Sequence, residues 1–341
     1  MRNQLRRKII AAGKDLLAPA SNPPKQIPLP GPIKSDANAK RMVLSQSSIE
    51  GYHVWNEPNR ADTPVLHIGE SGARYSTITG VWWLEETRYI ACHRSGLRAA
   101  VFDLEAENPV LWTGDFGHLS DDIAAKPIDE NTWEVAVSGC WENICSRFTL
   151  TKTAAEYALQ ALEERPHESK DFSHGVAYDE AGQLCIALHT GVDPRIYIGK
   201  EVSRLPKPWG ARDVCFDAAR NRHLAIAVSA NPRKTSYTGP STSLWEMPVG
   251  AKEWVCVGVY QEIHSDALDV WGDHIWFPDQ VSNALISVNA ATAEMEGIFT
   301  GDCFDFPHGL GISPSGVIAV TNYGTSSIAL ISIDELAKPK P

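Results

Sequence analysis

Residues 308–312 read His-Gly-Leu-Gly-Ile, and five related phrases precede them in the chain. Each phrase is a small or polar pair that leads into a hydrophobic strand, and a turn and a second strand follow it. The phrases begin roughly 40 to 55 residues apart, which is the spacing of four-stranded propeller blades and not of helical solenoids. The other five phrases occupy residues 79–83, 121–125, 174–178, 212–216 and 266–270.

A second and a third strand recur through the repeats. Alternation and β-branched residues favour strand over helix in runs such as Ile-Ala-Val-Thr-Asn at 318–322 and Ile-Ala-Leu-Ile-Ser-Ile at 328–333. The last unit ends soon after its third strand, whereas a strand-like run at 63–68 precedes the first unit. We therefore predict an all-β, six-bladed β-propeller closed by this N-terminal run as the outer strand of the final blade, because closure protects the sheet edges.

The repeats predict one propeller domain at residues 41–335, between an N-terminal extension at 1–40 and a C-terminal tail at 336–341. The extension is basic and Pro-rich, and we interpret it either as a weak anchor for an acidic membrane surface or partner, or as a solvated tail. The chain is 43% hydrophobic but has no apolar run near the roughly 20 residues that cross a bilayer. Its net charge of −11 argues against nucleic-acid binding, because phosphate recognition needs clustered Lys and Arg.

The seven cysteines are odd in number and scattered, and most of them lie inside strand phrases. This usage predicts reduced core thiols in a cytoplasmic protein. Cys140 and Cys145 form the one close pair in the sequence, and they have neither CxxC spacing nor a second pair for a zinc site.

Two segments depart from the repeat. Residues 153–164 have high helical propensity where the repeat requires the fourth strand of blade two, and the sequence leaves helix and strand both open. Residues 231–243 form a polar, turn-rich insertion in blade four. We predict that this insertion is a loop over one mouth of the ring.

Polar side chains recur at the first position of the phrases. Because the innermost strands of a propeller surround its axis, residues at equivalent positions face one another across the channel. Gathering carboxylates, imidazoles and a guanidinium there is costly unless they pair or hold an ion. This first ring comprises Thr79, Asp121, His174, Arg212, Asp266 and His308. A second ring, at the ends of the second strands, comprises His93, His189, Asp279 and Asn322.

The last unit, at residues 306–333, resembles one repeat of the NHL and gluconolactonase-like (senescence-marker-protein) six-bladed propellers, and residues 173–189 are similar. In the gluconolactonase-like hydrolases the residue before the Gly of such a phrase contributes to a divalent-metal site in the channel. Thr79 stands where that family has a Glu, and His replaces Asn twice. Since imidazole suits zinc, iron or copper better than calcium, an all-oxygen calcium site is not expected, and zinc, iron or manganese is expected instead. Its ligands would be His174, Asp266 and His308. Propeller lyases of the peptidylglycine type resemble this arrangement, because they hold zinc with His at comparable positions.

The resulting hypothesis is a metal-dependent enzyme that acts on a small polar substrate in the channel, as a lactone or ester hydrolase or a related lyase. The metal would lower the pKa of a bound water or polarise a carbonyl group. Asp121 would be a fourth ligand or a general base, and Arg212 would hold an anionic substrate or an oxyanion. The four residues of the second ring would bind the substrate.

Other interpretations stay open at this stage. Each His-Gly dipeptide could simply bond a neighbouring blade. The chain could also be a non-catalytic propeller that binds a protein or glycan through its top loops, or a former enzyme that keeps only ligand binding. His118 and His264, in loops before the phrases, are either partners of the site or exposed. The sequence has no GxSxG elbow, P-loop, HExxH or GxGxxG motif, so serine hydrolase, nucleotide hydrolase and dinucleotide oxidoreductase activities lose their usual support.

Overall fold

The protein is an all-β propeller of six sheets, as the repeat spacing predicts. Within the described ranges no helix is both long and apolar enough to cross a membrane. The structure, a computed structural model, describes residues 29–44, 52–54, 78–94, 98–139, 144–154, 156–166, 172–190, 195–206, 209–229 and 241–337.

Each sheet is one blade. Five blades have four strands, and the fourth strand of blade six comes from the N-terminal region, which also adds a fifth strand to blade five. The two N-terminal strands are β1 (Lys40–Leu44) and β2 (Tyr52–Val54). Blades one to three contain β3–β6 (Ile78–Trp83, Arg88–His93, Arg98–Asp103, Val110–Asp115), β7–β10 (Ser120–Asp129, Thr132–Gly139, Ile144–Lys152, Tyr157–Pro166) and β11–β14 (Phe172–Tyr178, Leu184–Thr190, Ile196–Ile198, Glu201–Ser203). Blades four to six contain β15–β18 (Trp209–Asp217, Arg222–Ser229, Ser241–Pro248, Val255–Gln261), β19–β22 (Asp269–Trp271, His274–Asp279, Ala284–Asn289, Met295–Gly301) and β23–β25 (Pro307–Ile312, Val317–Asn322, Ser327–Ser332), and the short helix α1 (Ile333–Ala337) follows.

The hydrophobic core lies between adjacent blades, because both faces of most strands are buried. One cluster joins Ile90 of blade one to Val135 and Leu150 of blade two. Another cluster joins Val81 of blade one to Ile328 of blade six. The first and last blades therefore pack against each other and the ring is closed.

The outer strand of blade six comes from the N-terminal region, as predicted, but not from the predicted segment. Strand β2 pairs antiparallel with β25, so Tyr52–Val54 takes this place. Residues 63–68 lie outside the described residues. Strand β1 pairs parallel with β22 and adds a fifth strand to blade five. Ile33 bridges to Val259 of blade four, so the N-terminal segment contacts three consecutive blades.

The first irregular segment is strand, and so are the three described residues of the second. Residues 157–166 form β10, which pairs antiparallel with β9 through a bulge between Ala161 and Glu163. Pairing with the open edge of β9 outweighs local helical propensity, which is a weak preference. Residues 241–243 of the predicted loop begin β17 and pair with β16 and β18. The rest of that predicted loop, residues 231–240, lies outside the described residues.

A bulge in the innermost strand decides where the first two residues of each phrase point. The pairing register between the first and second strands shifts at these residues in blades one, two, three, four and six. A bulge re-aims side chains that regular alternation would send to the two sheet faces. In blades two, three and six the first residue of the phrase is thereby directed into the ring, and the second lies against the neighbouring blade.

Aspartates of the innermost strands connect neighbouring blades. Asp122 of blade two accepts a hydrogen bond of 2.9 Å from the backbone N–H of Val176 in blade three. Asp213 of blade four accepts one of 2.8 Å from Leu268, just before the first strand of blade five. The third such contact, also 2.8 Å, joins Asp269 of blade five to Ile312 of blade six. These carboxylates satisfy backbone donors that the bulges and turns leave unpaired.

The Asp269 carboxyl makes folding stability dependent on pH. Burial raises its pKa from 3.8 to about 6, although the N–H groups of Val270 and Ile312 favour the ionised form. The folded state therefore binds this proton more tightly than the unfolded chain does. Its contribution to stability is complete below the unfolded pKa and is lost as the pH rises through the folded pKa.

We expect Asp269→Asn to remove that contribution. Between about pH 4 and pH 6 the free energy of unfolding of the wild type should fall, relative to the variant, by up to about 1.4 kcal/mol per pH unit. Urea unfolding of both proteins across this range measures the difference. The exposed Asp302 provides a control, Asp302→Asn, whose stability curve should run parallel to that of the wild type. Parallel curves for Asp269→Asn as well would contradict the prediction.

Candidate functional site

Four first-position side chains meet on the axis of the ring. Blades three and six stand on opposite sides, yet the ring centroids of His174 and His308 are only 5.5 Å apart. Asp121 Oδ2 lies 3.0 Å from His174 Nε2, and Asp266 Oδ2 lies 3.5 Å from His308 Nε2. Asp266 Oδ1 is 4.0 Å from His174 Nε2. We call Asp121, His174, Asp266 and His308 the axial cluster.

The axial cluster is buried but its polar atoms are not satisfied. All four side chains are less than 9% exposed. Nevertheless both carboxylate oxygens of Asp121, His174 Nδ1 and Asp266 Oδ1 make no well-aligned hydrogen bond. Buried polar atoms in native proteins are nearly always paired, and each unpaired one costs about 1–3 kcal/mol. The charges of the two carboxylates are compensated instead by ion-pair contacts with His174, Arg94, Arg212 and His264.

The electrostatics keep the carboxylates ionised and His308 neutral. Burial opposes the charge of Asp121, but His174 and Arg94 outweigh it and hold the pKa of Asp121 below its usual range. The same balance, with Arg212 as the largest attractive charge, lowers the pKa of Asp266. Burial lowers the pKa of His308 to about 4. Ionised carboxylate and neutral imidazole are the forms that bind metal ions.

The donor set of the axial cluster fits a divalent cation. The ligand atoms of Asp121, His174 and His308 all lie within 4.8 Å of one another. The three contact distances of 3.0, 3.5 and 4.0 Å lie close to the separation of about 3.3–3.5 Å between ligands of a tetrahedral ion with bonds of about 2.0–2.1 Å. Mixed imidazole and carboxylate ligands suit zinc, iron or manganese.

Residues directly after the second strands surround the axial cluster. Arg94 Nη1 lies 3.6 Å from Asp121 Oδ1. Gln280 donates a hydrogen bond of 2.8 Å to Asp266. The ring of Tyr323 stacks on His308 with centroids 4.0 Å apart. None of these three residues was among those predicted from the sequence. Each is the immediate successor of a predicted second-ring residue, so the signal was present one position further along the chain.

Three predicted second-ring side chains make contacts of their own beside the cluster. His93 Nε2 lies 3.2 Å from Ser326 Oγ, and burial lowers the pKa of His93 to about 4. Asp279 accepts hydrogen bonds from the backbone of His264, Val281 and Ser282. Asn322 donates to Cys303 O and accepts from Asp305 N. The substrate-binding role of these residues stays a prediction.

His189, the fourth second-ring residue, lies at the axial cluster. Its ring centroid is 4.8 Å from that of His174. Burial, reinforced by Arg212, lowers the pKa of His189 well below its ordinary value. A neutral imidazole here adds no charge to a site that already contains two arginines.

The other candidate residues divide between the site and the scaffold. Arg212 Nε lies 3.4 Å from Asp266 Oδ1. His264 Nε2 lies 3.4 Å from the same oxygen, and 28% of its side chain is exposed. Thr79 instead turns its hydroxyl towards Cys92. His118 is buried, with Nδ1 3.1 Å from Leu119 O.

Comparisons with known proteins reach the fold and no further. No protein-family profile matches the sequence, and a comparison with characterised proteins finds no relative. Among solved structures, a luciferin-regenerating enzyme is similar with a TM-score of 0.56 and 11% identity, over 75% of this chain and 90% of that chain. A structural genomics protein of unknown function from Bacteroides thetaiotaomicron is similar with a TM-score of 0.53 and 12% identity, over 84% of this chain and 73% of that chain. These likenesses confirm the propeller fold.

Proposed function

We propose that this protein is a metal-dependent enzyme that acts on a small, polar, anionic substrate in the propeller channel. The observation that carries this proposal is the set of polar atoms in the buried axial cluster that make no well-aligned hydrogen bond. Ion-pair contacts alone compensate the desolvation of these atoms only in part. A cation together with a polar substrate would satisfy them. Hydrolysis of a lactone or ester, or a related lyase reaction, is the chemistry that suits these groups.

The axial cluster would hold the cation through His174, His308 and Asp121, with Asp266 as a further oxygen ligand. A divalent cation bound there supplies Lewis acidity towards a carbonyl or ester oxygen. Asp121 is better suited to ligation than to proton abstraction, because its lowered pKa makes it a weak base at neutral pH. The imidazole ring of His308 is held in its orientation by the Thr79 carbonyl oxygen, which lies 3.2 Å from Nδ1.

The arginines beside the cluster define the substrate class. Two carboxylates in the cluster face two guanidinium groups, Arg94 and Arg212. The Arg212 side chain is 18% exposed, whereas His174 is 5% exposed, so Arg212 is the more accessible group. Its Nε is buried against Asp266 Oδ1 at 3.4 Å, so the exposed remainder of the side chain faces away from that contact. It is therefore placed to bind a substrate carboxylate or the oxyanion that develops during acyl transfer.

His264 is the residue best placed to transfer a proton. Its side chain is partly exposed, and Nε2 lies beside Asp266 Oδ1 at 3.4 Å. That carboxylate can orient the imidazole and stabilise its protonated form, as the acidic member of a catalytic dyad does. Asp266 would thus connect the proton-transfer residue with the ligand His308. The buried free thiols, Cys92 and Cys215 among them, suit the cytoplasmic location that the sequence predicts.

Metal content tests the proposal directly. We expect protein purified without a His tag to contain near-stoichiometric zinc, iron or manganese at the channel, and the His174→Ala, His308→Ala double variant to lose it. The loss follows from removal of both imidazole ligands. Elemental analysis of both proteins measures the channel metal as a difference of about one equivalent per chain, and a screen of lactones and esters with an anionic group measures activity of the loaded protein.

The control is His274→Ala, which removes a surface imidazole that pairs with Glu296 and should leave the channel metal in place. Circular dichroism establishes that each variant is folded. If neither the wild type nor the control binds metal at the channel, even after reconstitution, the metalloenzyme proposal is wrong. A non-catalytic propeller that binds a protein or glycan would then take its place.

A further inference from the structure

A second cluster of metal-ligating side chains lies at the other end of the propeller. Asp179 follows the end of β11, whose beginning holds His174. At a rise of about 3.3 Å per residue, the two positions are separated by roughly 16 Å along the strand. Cys185 lies near the start of β12 in blade three, and His223 lies at the start of β16 in blade four. The cluster therefore spans the boundary between two blades.

His223 is a buried imidazole whose two ring nitrogens both lack a well-aligned hydrogen bond. It is only 4% exposed, and its Nε2 lies 3.5 Å from Asp179 Oδ2. Burial lowers the pKa of His223, although Asp179 opposes this effect. His223 Nε2 therefore faces the Asp179 carboxylate, while Nδ1 has no hydrogen-bond partner among the described residues. A buried imidazole without satisfied nitrogens calls for a further partner.

The three donor atoms are close enough to share one ion. The ligand atoms of Asp179, Cys185 and His223 all lie within 4.8 Å of one another. Zinc bonds of about 2.0–2.3 Å bring such atoms to roughly 3.3–3.7 Å from one another, so a small adjustment of side chains suffices. The Asp179 carboxylate is already oriented by Gln183, which donates 2.7 Å and 3.2 Å hydrogen bonds to its two oxygens. Supporting bonds of this kind accompany most metal ligands.

We propose that Asp179, Cys185 and His223 form a binding site for a zinc-like divalent cation that ties blade three to blade four. The cation replaces the thiol proton of Cys185, which leaves to solvent, and the other two ligands bind in their ordinary forms. One thiolate and one carboxylate then neutralise the two positive charges, which a buried site requires. Soft sulfur together with nitrogen favours zinc or cobalt over magnesium or calcium.

Cobalt substitution separates this site from the channel site. The axial cluster contains no sulfur ligand, so a thiolate-to-cobalt charge-transfer band in the near ultraviolet would report on the second site alone. We expect metal-stripped full-length protein to develop this band on titration with Co²⁺. The final intensity of the band should correspond to about one sulfur-bound cobalt per chain. The His174→Ala, His308→Ala double variant should develop the same band, which makes the result independent of the proposed enzyme function.

Two variants and one control decide the assignment. Cys185→Ser should lose the band, and His223→Gln should keep a thiol but bind Co²⁺ at least about tenfold more weakly. Cys256→Ser removes a buried thiol outside the cluster and should keep the band unchanged. Absence of the band in the wild type, its persistence in Cys185→Ser, or an unaltered affinity in His223→Gln would each overturn the proposal. His223→Gln retains all cysteines and so keeps the test valid if Cys185→Ser does not fold.

Discussion

Asp266→Asn is expected to lower the zinc affinity of the channel at least about 100-fold, and turnover of any ester or lactone substrate by about 10²–10³-fold. Asp266 is in contact with more of the site than any other residue of the axial cluster. Its oxygens lie within 4.0 Å of His308, His174, Arg212 and His264, and one of them accepts from Gln280. The substitution keeps the shape but removes the charge that these cations and imidazoles share. Metal titration and steady-state kinetics measure both effects.

A double substitution distinguishes a ligand from a structural countercharge. If Asp266 served only to neutralise Arg212, then Arg212→Met combined with Asp266→Asn would remove both charges and restore metal content. If Asp266 is a ligand, the double variant remains deficient in metal. Asp273→Asn is the matched control, because it removes a largely exposed carboxylate that pairs with Arg220. Full zinc binding by Asp266→Asn would show that Asp266 has no part in ligation.

The sequence was sufficient to predict the ring and which blades supply the axial cluster. A repeat of roughly 40 to 55 residues fixes which positions are equivalent, and equivalent positions in a closed ring converge. His174 and His308 were predicted from their shared phrase, and the structure brings their rings together. The sequence does not reveal the bulges that direct these side chains inward. Regular alternation alone would have left the direction of each side chain undecided by one residue.

The second ring shows the same limit more sharply. The polar residues at the ends of second strands were predicted to bind the substrate in the channel. In the structure, Asp279 and Asn322 form hydrogen bonds with nearby backbone groups. Their successors Gln280 and Tyr323 contact the axial cluster instead. A one-residue difference exchanges the two faces of a strand, so a correct strand assignment still leaves the facing residue undetermined. Thr79 differs for another reason, since its hydroxyl finds Cys92 within its own blade.

The closing strand and β10 depended on non-local pairing. A stretch of three residues, Tyr52–Val54, is too short to stand out from its sequence, yet it pairs with β25 and covers the last blade. Residues 157–166 favour helix locally and become strand because β9 offers an open edge. Both outcomes are set by which edge needs a partner and not by the composition of the segment.

Gly309→Ala is expected to destabilise the protein by at least about 3 kcal/mol, because it disturbs the seam where blade six meets blade one. A Cβ at this position would lie 2.0 Å from the backbone oxygen of Thr79 and 2.8 Å from Thr321 Oγ1. The Thr79 oxygen cannot turn away, since Thr321 donates a 2.7 Å hydrogen bond to it. Gly309 and Thr79 both belong to innermost strands, so the steric clash could be removed only if blade six moved away from blade one.

Gly272→Ala provides the comparison that isolates this steric effect. Gly272 has a φ of +61° with nothing within 4 Å of the added Cβ. Its replacement should therefore cost only the left-handed backbone penalty of about 1–2 kcal/mol. Urea unfolding of both variants gives the two free energies. Equal losses would mean that the seam can yield and that ring closure does not depend on this contact. A larger loss for Gly309→Ala, or failure of that variant to fold, would show why this phrase has glycine at its second position. Blade one occupies the space that a side chain would need.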